Sequence, residues 1–291
     1  MQSWRIREPV MWLTEYLTGN RKTYGMNKIG GVARDLPFDY RERILPVIEK
    51  IEAETLAAVD AILGDSSLQS RLAGTGIITP EDARAYCVLG PTARGSGVDI
   101  DARRDHPFAA YDEVEFEVCV EQGCDIWART LVRIRETIES IKILRQLLDK
   151  MPGGPVMAEF NEVPPYRVAV SSVEAPRGEV HHYTMTGPDN RPYRWRVRAP
   201  TYNNLQVIPS MLRGQRIADA PISVGSLDPC FSCTERMAVI DKDSGTTRIY
   251  KRKELLEMYK KSKESDRSNK SDKSNLSDQS DLLDPGTVCD V

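Results

Sequence analysis

No stretch of this sequence approaches the ~18–20 consecutive apolar residues that a membrane-crossing helix needs, so no span is expected. Charge of one sign is also missing. Forty Lys and Arg stand against 43 Asp and Glu, a formal net charge of −3, which leaves no electrostatic footprint for nucleic acid. Histidine is scarce, with three in the chain, and only one CxxC pair is present, so a zinc site built from two such pairs is excluded. The opening "MQSWRIREPVMWL" carries charges where a secretory signal has its apolar region. A cytoplasmic location is therefore expected, and the six cysteines are expected to be reduced thiols or metal ligands rather than disulfides.

What remains is an ordinary globular composition, 40 % hydrophobic and 29 % charged over 291 residues, enough for one large domain or two smaller ones. "VMWLTEYLTGN" reads as a short helix closed at Thr18-Gly19-Asn20, followed by a glycine loop at Gly30 and Gly31. Ile44, Ile48, Ile51, Val59 and Ile62 recur at helical spacing between Phe38 and Leu63. "TPEDARAY" offers an N-cap threonine, a proline at the first helical position and acids in the first turn. The strongest period lies between Tyr111 and Lys150. There Trp127, Leu131, Ile134, Ile138, Ile141, Leu144 or Arg145, and Leu148 predict the buried face of a long helix, with Arg129, Arg133, Arg135, Glu136 and Glu139 opposite. "MPGGP" stops it.

Beyond that point the period becomes two. "YRVAVSSVEA", "EVHHYTMT" and "YRWRVRAP" predict antiparallel strands, and "YNNLQVIPSMLRG" predicts one more short helix. The order implies an α+β fold, a mainly helical core with a long buried helix and a small antiparallel sheet. Residues 1–250 read as one domain. Residues 251–291 read as a charged, low-complexity tail with too little apolar surface to order itself, Cys289 included.

The chemistry-bearing stretch is "SLDPCFSCTERM". Cys230 and Cys233 at i, i+3 can aim both sulfurs into one small volume, as metal sites and redox pairs require. A complete zinc site would need help from His106, His181, His182, Cys87, Cys119 or Cys124. His181 and His182 are adjacent in a strand and point to opposite faces, and Cys119 and Cys124 fall on different faces near the start of the long helix. A thioredoxin-like pair would want a parallel βαβ unit, and the strands here are antiparallel. Spacing leaves open a metal shared with ligands outside the chain, or no metal. Asp228 adds a carboxylate beside the thiols. Arg177 in "EAPRGE" adds a cation that favours thiolate, or else forms a plain salt-bridged loop.

"LTGNR", "NKIGGVARD", "GPTARGSGVDIDARRDHPFAAYDEV", "RIRETIESIKIL", "MPGGP", "EAPRGE", "APTYNNL" and "DPCFSCTERM" occur in order across residues 1–250. In them the chain resembles the large subunit of nickel-iron hydrogenases, in particular the membrane-bound, energy-converting group related to the complex I quinone-site subunit. The resemblance implies a NiFe hydrogenase large-subunit-like fold and a NiFe(CN)2CO centre (Ni and Fe) that oxidises dihydrogen or reduces protons. Cys230 would be a terminal nickel ligand and Cys233 a bridge to iron, with Arg177 and Asp228 overhanging the centre. Asp101, Arg103 and Tyr111 would be structural or inter-subunit. It implies an iron-sulfur small subunit, membrane-arm antiporter-like subunits, and a maturation protease that cuts after Arg236. It also implies a peripheral position on the inner face of the membrane.

The family's first cysteine pair, in Arg-x-Cys-x-x-Cys, has no counterpart in these residues. The expectations are a separate N-terminal large-subunit fragment as a partner, a truncated gene, or a catalytically silent or quinone- or sulfur-compound-reducing complex I-like scaffold. The silent relatives lack the cysteines after Asp-Pro, so Cys230 and Cys233 favour the hydrogenase side.

Overall fold

The computed structural model describes residues 2–159, 162–234, 238–240, 247–249, 254 and 256–257. The chain divides into two units, Met1–Thr234 and Glu235–Val291. The first opens with α1 (Gln2–Thr18), longer than the sequence suggests and running through Pro9. The two-residue strands β1 (Asn27–Lys28) and β2 (Gly31–Val32) form the glycine loop. Then come α2 (Tyr40–Leu63), α3 (Ser66–Leu72), α4 (Pro80–Ala85), α5 (Gly90–Arg94), α6 (Ala102–Asp105) and the long α7 (Ile126–Lys150).

An antiparallel sheet follows, in the order β3 (Val168–Ala175), β4 (Gly178–Thr186), β5 (Pro192–Arg198). The unit closes with α8 (Pro200–Asn204), α9 (Ile208–Leu212) and α10 (Ala220–Gly225). "YNNLQVIPSMLRG" is thus two short helices joined by a 3-10 turn at Leu205–Val207, because Pro209 cannot continue the preceding hydrogen-bond ladder. In the second unit β6 (Ala238–Ile240) and β7 (Thr247–Ile249) pair antiparallel. The low-complexity tail from Lys261, Cys289 and the cut after Arg236 lie outside the described residues.

The architecture is helix-rich with small antiparallel sheets, as an α+β reading requires. Its helix starts follow from local chemistry. Thr79 Oγ1 accepts from the Asp82 amide at 3.1 Å, and Asp125 Oδ1 accepts from the Ala128 amide at 2.8 Å, each satisfying a donor the first turn leaves free. One apolar cluster joins α1, α2 and α7 through Leu13, Ile44, Ile48, Ile51, Ile141 and Leu148. A second, Ile78, Val88, Ala93, Val207, Met211 and Leu227, lies beneath the loops that carry the cysteines.

The face of α7 differs from its sequence pattern. Leu144 is 47 % exposed, while Arg129 and Glu139, expected in solvent, are buried. A helix covered from two sides buries more than one stripe, and these polar groups are tolerated because each finds partners. Arg129 donates to Gly76 O at 2.7 Å and to Ser226 Oγ at 3.1 Å, and Glu139 accepts from Lys142 and the Glu117 amide. Cys119 and Cys124 also sit in the loop ahead of α7 rather than on the helix.

Candidate metal centre

The turn between β3 and β4 is two residues, Pro176 and Arg177, closed by pairing of Ala175 with Gly178. The tip presses against the start of α5 so closely that two glycines are required. A Cβ on Gly90 (φ +63°) would lie 2.4 Å from Gly178 Cα, and one on Gly178 (φ +124°) would lie 2.7 Å from Gly90 N. Fully buried Asn204, at the end of α8, ties the same pieces together. Its Oδ1 accepts from the Leu89 amide at 2.8 Å, and its Nδ2 donates to Arg177 O at 3.2 Å. The arginine backbone is thereby fixed from two sides.

The Arg177 side chain reaches the cysteine loop. Nε donates to Asp228 O at 2.6 Å and Nη2 to Asp228 Oδ1 at 3.1 Å. Asp228 adopts φ +54°, a left-handed conformation Asp tolerates better than most residues. Two residues earlier, Ser226 Oγ is held by Arg129, so the loop is anchored before it turns. Pro229 then leads into a 3-10 turn, Phe231–Thr234, in which the Cys233 amide and the Thr234 hydroxyl both donate to Cys230 O, at 3.0 and 3.2 Å.

Within that turn each thiol acts on the other. Burial pushes the Cys230 thiol up, but hydrogen bonds from the Cys233 amide and thiol and from Ser232 outweigh it, and its pKa falls below the ordinary value. Cys233 moves the other way. Burial and the Cys230 thiolate raise it, against the opposing pull of the Thr201 hydroxyl and the Arg177 guanidinium. Thr201 is buried, with no partner of full hydrogen-bond geometry for its Oγ1 among the described residues, and Cys233 is the group on which it acts.

Behind this loop lies a buried charge cluster. Arg94, 1 % exposed, donates to Glu136 at 2.6 Å, Glu174 at 3.0 Å and Ile100 O at 2.8 Å, and sits 3.3 Å from Asp101. Asp101 also accepts from Arg103 at 2.9 and 2.6 Å. Burial pushes the Asp101 carboxyl up, yet Arg103 and Arg94 hold it below the usual carboxylate range, whereas burial wins at Glu174 and raises it. A cavity of about 400 Å3 separates this cluster from Asp228, with Arg94, Arg103, Arg133, Glu136 and Glu174 in its walls.

Arg177, Asp228, Cys230 and Cys233, named from the sequence, therefore meet in one place. The other candidate ligands belong elsewhere. Buried Cys119 has its thiol pushed up to about 11, Cys124 is bonded to Gln122 O, His181 contacts Ser172 and Glu179, and His182 accepts from Trp195 Nε1 at 3.0 Å. Arg94, Arg129, Thr201 and Asn204 were not singled out by sequence. Arg94 stands in the quoted motif "GPTARG", and Thr201 and Asn204 in "APTYNNL", but their partners include Glu136, 42 residues from Arg94, and Leu89, 115 residues from Asn204.

As a donor set, two sulfurs in one turn suit soft metals such as nickel and iron. Two sulfurs are fewer than the four ligands a closed tetrahedral metal site takes. No group of three or more His, Cys, Asp and Glu that could hold a metal ion occurs among the described residues.

The sequence pattern of the family described as "Respiratory-chain NADH dehydrogenase, 49 Kd subunit" matches residues 1–168 and 158–236. Formate hydrogenlyase subunit 5 of Escherichia coli (strain K12) is 43 % identical over 255 residues, covering 88 % of this chain and 45 % of that protein. Hydrogenase-4 component G of the same organism is 39 % identical, over 83 % of this chain and 40 % of its own length. A component of the NADH-quinone oxidoreductase of Geotalea uraniireducens (strain Rf4) is 33 % identical, over 78 % of this chain and 65 % of its own length. The chain thus spans less than half the length of the first two. No helix among the described residues is long and apolar enough to cross a membrane.

Proposed function

The chain belongs to the family of the respiratory-chain NADH dehydrogenase 49 kDa subunit, and we propose that within it this chain is the part of a hydrogenase catalytic subunit that bears one thiolate pair. The observation that carries this reading is the pair Cys230 and Cys233 joined in one turn, next to a guanidinium held by Asp228. The higher identity to the two hydrogen-linked relatives than to the quinone-linked one supports it. The remaining ligands come from protein outside these 291 residues.

The residues on hand define what this part does. Cys230 gives up its proton first, at the lower pKa of the pair, and offers a thiolate ligand. Cys233 keeps its proton longer, while the Thr201 hydroxyl and the Arg177 guanidinium work in favour of its thiolate. Arg177 is held before any ligand arrives, since Asn204 fixes its backbone and Asp228 its side chain, so its positive charge has little freedom to lose. When bound, a NiFe(CN)2CO centre supplies Lewis-acidic, redox-active chemistry that forms or splits dihydrogen. Electrons would pass to an iron-sulfur small subunit, and membrane-arm subunits would hold the chain against the inner face of the membrane.

The similarity to the NADH-quinone oxidoreductase component favours a second reading, a scaffold or quinone-site module without hydrogen chemistry. The experiment is dihydrogen-driven dye reduction by the complex purified from its native host, with Cys233→Ala beside wild type. Activity that disappears in the variant supports the hydrogenase reading. A wild-type complex that reduces quinone and is indifferent to dihydrogen supports the other.

A further inference from the structure

β5 is one of the two edge strands of its sheet, β3 being the other; no further strand pairs with it among the described residues, and its outer half is exposed on both faces. On one face stand Val168 (52 % exposed) and Val170 (68 %) with Arg194 and Arg196. On the other stand Trp195 (59 %) and Val197 (48 %). Strands that stay in water usually keep at least one face polar, and free edges are usually short or covered. The arginines show what is lacking. Arg198, on the same face but at the inner end of the strand, is paired with Glu179 at 2.7 Å. Arg196 and Arg194, one and two steps further out, have no ion pair among the described residues.

We infer that β5 is a docking edge for a strand of a partner protein with acidic residues at alternate positions. Strand addition would satisfy the outward amides and carbonyls of Pro192–Arg198. Because cross-strand neighbours share a face, the partner's acids would stand beside Arg194 and Arg196 while its intervening apolar residues cover Trp195 and Val197. An anionic lipid surface could meet the charges, but it would leave Trp195 and Val197 on the opposite face, and the backbone edge of β5, in water. The inference rests on the chain having protein partners, as proposed above, and not on the reaction they carry out.

The test compares backbone hydrogen exchange in the free chain and in the complex purified from its host, and adds two double variants. Arg194→Lys with Arg196→Lys keeps the charge and supplies amines that a carbodiimide joins directly to carboxylates. Expected are slowed exchange at the outward amides of β5 and cross-links to Asp or Glu of another protein, at alternate positions of one strand. Arg194→Glu with Arg196→Glu is expected to weaken assembly about tenfold or more, with the melting of the free chain unchanged because both side chains are exposed. Equal exchange in free and assembled chain overturns the inference, as does unchanged assembly of the glutamate variant. Cross-links only to a second copy of this chain, or protection that appears only with phosphatidylglycerol vesicles, overturn it as well.

Discussion

Gly90 and Gly178 face each other so closely that a Cβ on either would run into the other's backbone, and this close approach seats the Arg177 turn on α5. Any side chain at either position must push the turn off the start of α5, and both residues also hold positive φ. Gly90→Ala is therefore expected to cost about 3–5 kcal/mol in urea unfolding, combining strain with overlap. Gly153→Ala, where nothing lies within 4 Å, is expected to stay within about 0.5 kcal/mol. Equal effects at the two positions would contradict the contact.

Asn204→Ala should remove the partner of a buried amide, Leu89 N, and of the Arg177 carbonyl. Leaving such groups unpaired costs about 2–3 kcal/mol. The same denaturant measurement on Asn203→Ala, one residue away and only partly buried, should show much less.

Asp101→Asn is expected to destabilise the fold by about 3–5 kcal/mol, because it strips a buried anion from Arg94 and Arg103. Asp99→Asn, at an exposed pair with Arg104, should be near neutral. The sign of the pH dependence follows from the depressed Asp101 pKa. Its contribution is fully present above the ordinary carboxylate range and is lost as pH falls through the lowered folded-state value. The gap between wild type and Asp101→Asn should therefore narrow on acidification, which unfolding curves at several pH values would reveal.

Iodoacetamide should label Cys230 at lower pH than Cys119 and Cys124. The thiolate is the reactive form, and a lowered pKa moves its appearance toward acid, whereas Cys119 and Cys124 are raised. Peptide mapping across pH reads the order directly. Labelling of Cys119 before Cys230 would contradict it.

Much of this was legible in the sequence because it is local. The Thr79 cap, the alternation in β3 to β5 and the i, i+3 sulfurs each depend on a few neighbouring residues. The meeting of Arg177 with Asp228 was suggested by family resemblance and not by spacing, for 51 residues separate them. What escaped was long-range polar burial. Arg129 belongs to the charged face of α7 by period alone, yet it is the group that anchors Ser226, 97 residues on. Periodicity reports how a helix would partition against one apolar layer, and it is silent where two layers enclose the helix and polar contacts replace water. The exposed apolar strand residues escaped for the related reason that alternation marks a strand without saying what covers it.

The central claim is that Cys230 and Cys233 complete a nickel-iron centre whose other ligands lie outside these residues. Its most direct test is metal analysis of the complex purified from its host, wild type beside Cys230→Ser. The account predicts nickel and iron in equal amounts in the wild type, beyond the iron of its iron-sulfur clusters, and loss of both from a variant that still assembles. A wild-type complex free of nickel would contradict it.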